Sequence, residues 1–277
     1  MRNLRASVKV SLLIFFTLLS YTGYFAIYLP LRLFGLSYEA WRNLYMRFWS
    51  KTVARILSIR FHVKGTPPEA PFILVSNHLS YIDIVPMFIN MNCTFVAKKA
   101  VESWPLLGPM VKYTGVIFVD RSIKRDVTRV NELLSKSLNK YQGIVLFPEG
   151  TTTGGDRVLP FRSSLLNYPA SASIPVHFSV IQYKTSEGDP SADETVCFYG
   201  ARDPFHKHVF KLAGNKEINC HVVYSRETVR SSDRKDLAQK LQEKVESAAS
   251  SLRKEIELWD SIKSIEHAGD SFHGSGF

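Results

Sequence analysis

Cysteine is scarce in this sequence: Cys93, Cys197 and Cys220 are the three present, odd in number and far apart. No CxxC pair and no Cys/His spacing of the zinc kind accompanies them, which argues against a disulfide framework and against a metal site, and suits a reducing compartment. No GxSxG turn occurs, so the nucleophile elbow of the serine hydrolases is missing. No internal repeat is visible. Acidic residues are nearly absent from the first quarter, where residues 1–65 hold ten Lys/Arg against Glu39 alone. The formal charge of +10 is therefore concentrated at the N-terminus, and the remainder is close to neutral.

A nucleic-acid-binding protein of this balance would carry its basic face on the folded domain. Here the charge flanks an apolar segment, so the implied partner is an anionic membrane surface and no nucleic acid is expected. His206 and His208, in the stretch DPFHKH, could be read as metal ligands. No carboxylate or cysteine pattern surrounds them, and a solvated loop is expected.

Val10–Leu31 contains no charged residue and is long enough to cross a hydrocarbon core as a helix of about 20 residues. It is too long for the apolar stretch of a signal peptide, and no small-x-small cleavage site follows. Across Ser37–Ile59, Trp41, Leu44, Tyr45, Phe48, Trp49, Thr52 and Ile56 form one helical stripe, with Arg42, Arg47, Lys51 and Arg55 mostly off it. That pattern fits a basic amphipathic helix in a bilayer interface, or a helix packed on the core with a solvated basic face. Residues 1–59 are thus read as a membrane-associated helical module. The excess of Lys/Arg after the apolar segment leans towards a catalytic domain on the cytoplasmic face.

Beyond Gly65-Thr66-Pro67-Pro68, short apolar runs alternate with helical stretches. Phe72–Val75, Val116–Val119, Ile144–Phe147 and Val176–Ile181 suit strands buried on both faces, and Asp126–Tyr141 supplies a covering helix. The expected fold class is α/β, a mainly parallel sheet flanked by helices, over residues 60–230. Three runs end in polar residues: Ser76-Asn77-His78, Asp120-Arg121 and Pro148-Glu149-Gly150-Thr151. If the strands are parallel, these ends face one crevice beyond the carboxyl edge of the sheet.

In SNHLSYID, Asp83 follows His78 by five residues, about 140° around a regular helix, so the two meet only if His78 lies in the turn before a helix that contains Asp83. Ser76 or Asn77 would then cap that helix. A carboxylate on one imidazole nitrogen fixes the tautomer and leaves the other nitrogen to take a proton from a hydroxyl.

With the later blocks included, the sequence resembles the glycerolipid acyltransferase family that includes the lysophosphatidic acid acyltransferases, over roughly residues 60–230. NHLSYID resembles the first family block, with His78 and Asp83 as its catalytic pair. GVIFVDR (Gly115–Arg121) is similar to the second, whose arginine helps hold an acceptor phosphate. FPEGTTT (Phe147–Thr153) is similar to the third, in which Glu149, Gly150 and Thr151 shape the acceptor site, and SIPVHF (Ser173–Phe178) to the fourth, with Pro175 near the acyl-binding region. FVAKKAVESWPLLG, containing Lys98 and Lys99, matches the stretch between the first two blocks. The resemblance also puts Asn77, Ser80, Lys98, Gly115 and Thr152 among the substrate-binding positions. It implies direct attack of a lysolipid hydroxyl, deprotonated by His78, on the thioester of acyl-CoA or acyl carrier protein, with no cofactor and no metal.

One position departs from the pattern. Relatives acting on lysophosphatidic acid commonly read Glu-Gly-Thr-Arg in the third block, where this sequence has Thr152. A hydroxyl cannot replace a planar, charged two-point grip on phosphate. Either Arg121 with Lys98 or Lys99 holds the phosphate, or the acceptor carries a larger or less anionic head group, as in a lysophospholipid or a lyso-ornithine-type lipid. The competing readings of the chain are a catalytically inactive membrane-tethered lipid-binding protein and a phospholipid acyl hydrolase. At the C-terminus, residues 231–263 are expected to form a helix packed on the domain, and 264–277 a loose tail.

Overall fold

The computed structural model describes residues 1–104, 107–119, 126–200 and 202–273. Seven strands form one sheet: β1 (Ile59–Lys64), β2 (Ile73–Ser76), β3 (Cys93–Lys98), β4 (Ile117–Val119), β5 (Gly143–Leu146), β6 (Val176–Thr185) and β7 (Ile218–Val229). Their spatial order is β1-β7-β6-β2-β5-β3-β4. Strands β2 to β6 are mutually parallel, β7 is antiparallel to β6, and β1 runs parallel to β7. The α/β, mainly parallel expectation holds. Ile73 is in register with both Ile144 and Val176, so the carboxyl ends of β2 and β5 emerge at one edge of the sheet.

The helices are α1 (Arg2–Leu33), α2 (Glu39–Leu57), α3 (Ile84–Asn90), α4 (Leu107–Tyr113), α5 (Asp126–Ser137), α6 (Asn167–Ser171), α7 (Ala192–Thr195), α8 (Phe205–Ala213) and α9 (Arg234–His273). They cover both faces because β2 and β5 are buried at every position and send successive side chains to opposite sides. Phe72, Leu74, Phe95 and Val145 pack with Tyr24, Tyr45, Phe88 and Leu212 on one side. Ile73, Val75, Ile144 and Leu146 pack with Leu134, Leu237, Leu241 and Val245 on the other.

The N-terminal helices are part of the first core. Arg5 donates to Gly214 O at 2.8 Å, and the buried Lys9 ammonium donates to Leu57 O at 3.2 Å and Asn215 O at 2.8 Å. Tyr24 donates to Tyr113 O at 2.9 Å and receives Trp41 Nε1–H on its own carbonyl at 3.1 Å. Side chains of α1 thus satisfy carbonyls at the C-terminal ends of α2, α8 and α4, groups that no intrahelical partner can satisfy.

Several expectations are corrected. The buried face of α2 is Arg42, Tyr45, Met46, Trp49, Val53 and Leu57, whereas Leu44 and Phe48 of the predicted stripe are 62% and 55% exposed. The helix has two apolar faces, and periodicity does not say which one meets protein. Helix α5 ends at Ser137, short of Tyr141, where Asn139 and Gln142 pair across a tight turn. Helix α9 continues to His273, through most of the segment expected to be a loose tail. His206 and His208 lie on α8, with His208 buried, where a solvated loop is expected.

Candidate active site

At the end of β2 the buried Asn77 behaves as an extra backbone unit. Its amide donates to Ile181 O at 2.9 Å and accepts from Ile181 N–H at 2.8 Å, clamping the exit of β2 to β6. The next residue is His78, followed by a short 3-10 turn, Tyr81–Asp83, whose N-cap is Ser80. Neither Ser76 nor Asn77 caps it, because the chain needs three further residues to leave the sheet. His78 therefore precedes the turn and Asp83 closes it, the arrangement their spacing requires.

His78 Nδ1 lies 2.7 Å from Asp83 Oδ2. The same oxygen accepts Leu79 N–H at 2.8 Å and Ser80 N–H at 3.1 Å. Tyr183, from β6, donates its hydroxyl to Oδ1 at 2.9 Å. Four donors converge on one fully buried carboxylate, which is how a buried acceptor is made tolerable. A carboxylate can only accept, so Nδ1 carries the hydrogen and Nε2 presents its lone pair. The imidazole stacks on Phe147, centroids 4.2 Å apart, which fixes its plane.

The turn after β5 supports the same histidine. Gly150 takes φ +73°, in the left-handed region that favours glycine, and its N–H returns to Phe147 O at 3.1 Å. Glu149 is buried beneath this turn and accepts His78 N–H at 2.8 Å and Leu159 N–H at 2.8 Å. Burial, with the neighbouring Asp83 and Glu246 charges, pushes its carboxyl up to about 7 despite those two bonds. Thr153 N–H donates to His78 O at 3.0 Å, so the two turns hold each other.

A cleft of about 310 Å³ opens beside His78. One wall is apolar, built by Ile84, Phe88, Phe95, Val111 and Val116. Stacked and edge-on rings run from His78 through Phe147 and Phe95 to Phe88, leading from the imidazole into that wall. The other rim is polar, with Lys98, Gly150, Thr151, Thr152, Tyr199 and Gly200.

The structure thus brings His78, Asp83, Glu149, Gly150, Thr151, Thr152 and Lys98 together. Asn77 and Ser80 lie behind the cleft as buried supports. Gly115 is also behind it, at φ +80°, receiving Thr94 Oγ1–H on its carbonyl at 2.8 Å; a Cβ there would stand 3.2 Å from Arg42 Nη1. Pro175 precedes β6, which runs parallel to β2, so it sits at the amino edge of the sheet, opposite the cleft. Arg121 lies outside the described residues. Among the described residues, no three His, Cys, Asp or Glu side chains gather as metal ligands.

Tyr183 has no motif around it and becomes legible only once β6 is known to continue past Ile181. Tyr81 and His208 form a second unanticipated pair: Tyr81 lines the cleft, and its hydroxyl meets His208 Nδ1 at 3.1 Å. His208 Nε2 faces Cys197 O at 3.0 Å. That carbonyl can only accept, so in the neutral ring, which burial favours, Nδ1 accepts from Tyr81. The bond ties α8, and through it α1, to the wall of the cleft.

A family model described as Acyltransferase matches residues 58–182. The 1-acyl-sn-glycerol-3-phosphate acyltransferase of Neisseria meningitidis is 27% identical over 197 residues, 70% of this chain and 76% of that one. The lyso-ornithine lipid O-acyltransferase of Rhodobacter capsulatus is 30% identical over 192 residues, 66% of this chain and 67% of that one. The crystal structure of the 1-acyl-sn-glycerophosphate acyltransferase from Thermotoga maritima superposes with a TM-score of 0.64 at 20% identity, over 91% of this chain and 98% of that one, a likeness of fold.

Proposed function

The chain belongs to the acyltransferase family, and from that premise we propose that it moves a fatty acyl group onto the free hydroxyl of a lysolipid, with His78 as general base. The observation that carries this is the His78–Asp83 bond of 2.7 Å at the mouth of a cleft with an apolar wall. His78 Nε2 takes the acceptor's hydroxyl proton while the oxygen attacks the carbonyl carbon of a thioester, acyl-CoA or acyl carrier protein. The C–S bond breaks, and the thiol leaves with that proton, regenerating the neutral imidazole. Asp83 holds the tautomer and stabilises the transient imidazolium. The apolar wall suits the acyl chain, and the rim from Gly150 to Thr152 suits the acceptor's head group.

The enzyme is membrane-associated, and α1 is its means of attachment. Residues Leu12, Phe15, Leu18 and Leu19 of this helix, and Leu44 and Phe48 of α2, face outward. From Arg5 to Tyr24 the helix is bonded to the domain, about 28 Å of axis. That length matches the hydrocarbon thickness of about 30 Å, so a crossing helix would carry the domain's polar backbone into lipid. We therefore read α1 as lying along one leaflet. The exposed Lys51, Arg55 and Arg60 favour the anionic cytoplasmic surface.

The test is product analysis with purified protein, labelled acyl-CoA and acyl carrier protein donors, and a panel of lysolipids. Label in a diacyl product is expected, lost in His78→Ala. Label released only as free fatty acid would identify a hydrolase, and an unconsumed donor a binding protein.

A further inference from the structure

Transfer onto a lysolipid brings two hydrocarbon chains to His78, the donor's and the acceptor's own, and the cleft has two apolar surfaces. One is the wall running from Phe88 to Val116, reached from His78 through Phe147 and Phe95. The second is aromatic. Tyr81, Trp104 and Phe198 line the cleft, and Phe205 stands behind them. Ring centroids lie 4.6 Å apart for Trp104 and Phe205, 5.0 Å for Tyr81 and Phe205, and 5.3 Å for Tyr81 and Phe198. Among the described residues no ring contact joins this set to the rings between His78 and Phe88.

This second surface is fixed to the catalytic turns. Tyr81 opens the 3-10 turn that Asp83 closes. Phe198 N–H donates to Leu79 O at 2.9 Å, and Phe198 O accepts the Thr152 hydroxyl, so its backbone is held by the loops after β2 and β5. The Tyr81 hydroxyl is engaged by His208. What the rings offer the cleft is therefore apolar. All four are partly exposed, and their edge-on contacts leave ring faces uncovered.

The two surfaces meet α1 near opposite ends. Val111 belongs to α4, where Tyr113 O receives the Tyr24 hydroxyl. Phe205 opens α8, where Gly214 O, past the far end, receives Arg5. Beside Arg5 the α1 residues Leu4 and Val8 are exposed, as is Phe210 of α8. The aromatic set is thus joined through α8 to outward apolar residues of the attachment helix. A lysolipid moving from a leaflet to His78 needs such continuous cover, because each methylene left in water weakens binding about fourfold.

We propose that Tyr81, Trp104, Phe198 and Phe205 hold the acceptor's own acyl chain, while the wall from Phe88 to Val116 holds the chain being transferred. This rests on the acyltransferase reading above and gives its two chains separate surfaces. The acceptor's hydroxyl and the thioester carbonyl then meet at His78 Nε2 with neither chain in the other's path.

The test uses the full-length protein in mixed micelles. Lysophosphatidic acid and lysophosphatidylethanolamine, each with a diazirine midway along its chain, are irradiated with the protein, and the labelled peptides are identified by mass spectrometry. Label is expected on the segments holding Trp104, Phe198 or Phe205. Kinetics with a palmitoyl donor, as the CoA or carrier-protein thioester, give a second readout. Phe198→Ala and Trp104→Ala should each raise the KM for lysolipid about tenfold, roughly the worth of two methylenes left uncovered, and change the donor KM less than about twofold. Should Phe198→Ala fail to fold, Trp104→Ala carries the comparison. A purely structural role would lower kcat or move the two KM values together. That result, label on the Phe88–Val116 wall, or label on neither surface overturns the assignment while transfer to lysolipid still stands. A wild-type protein that transfers to no lysolipid overturns both.

Discussion

Tyr183 donates its hydroxyl to Asp83 Oδ1 at 2.9 Å while His78 Nδ1 holds Oδ2 at 2.7 Å. The carboxylate that orients the base is itself gripped from β6, the strand that pairs directly with β2. Tyr183→Phe leaves one buried oxygen without its donor, at a cost of about 1–3 kcal/mol. Because the tyrosine touches no substrate, kcat should fall about tenfold with KM little changed. Steady-state kinetics beside thermal unfolding decides it. A lowered Tm with unaltered kcat would make the residue a packing element alone.

His78→Ala should lower transfer by at least about a hundredfold, the lower bound for a general base. Asp83→Asn should also be severe, because the amide can present N–H to Nδ1 and favour the wrong tautomer. Vesicle flotation is expected to show undiminished membrane binding in the alanine variant, since it leaves unchanged the outward apolar residues of α1 and α2 through which attachment is proposed. Normal turnover in His78→Ala would remove the mechanism.

Glu149 gives a pH signature. Its carboxyl is pushed up from 4.5 to about 7 in the fold, so the folded state binds more protons than the unfolded chain between those values. Stability from this group is therefore present at low pH and is lost as pH rises through that window, by roughly 3 kcal/mol in all. Glu149→Gln removes the titration. The difference in unfolding free energy between variant and wild type should change with pH from 4.5 to 7 and level off above. A constant difference across that range would contradict the assignment.

Much of the site can be read from the sequence because its parts lie next to strand ends. His78, Glu149 and Gly150 follow continuous apolar runs, and such runs forecast both the strands and the edge at which they finish. The spacing of His78 and Asp83 forecast a junction rather than a helix face. What could not be read depends on partners distant in sequence. Tyr183 reaches Asp83 only because β6 lies beside β2. Pro175 falls at the far edge because β6 starts there. Arg42 and Lys9 look like solvated charges in a periodic pattern, yet Arg42 is 2% exposed and Lys9 8% exposed. Strands β1, β3 and β7 do not stand out as apolar runs because each mixes polar residues into its sequence, β7 being hydrophobic on one face only.

Lys9→Met keeps much of the side chain's length and removes its ammonium. The carbonyls of Leu57 and Asn215 then lose a charged donor, and a loss of about 2 kcal/mol is expected. In detergent this should lower Tm by several degrees, about 2–4 °C per kcal/mol for a chain of this size. An unchanged Tm would mean that water replaces the lysine.

Val116 lies on the apolar wall of the cleft. Val116→Phe fills part of about 310 Å³ and should shift donor preference towards shorter acyl chains. Competition between donors of two chain lengths measures it. An unaltered preference would exclude this wall as the acyl site.

Fastening α1 along its length to the rest of the fold divides its residues into two populations under different constraint. Outward positions such as Phe15 and Leu19 need only be oily, and can drift freely among apolar types. Lys9 and Tyr24 answer to fixed carbonyls on other helices, and drift there would unseat the segment. An anchor of this kind cannot be trimmed away to yield a water-soluble enzyme, because the same thirty-odd residues close the ends of three helices within the folded body.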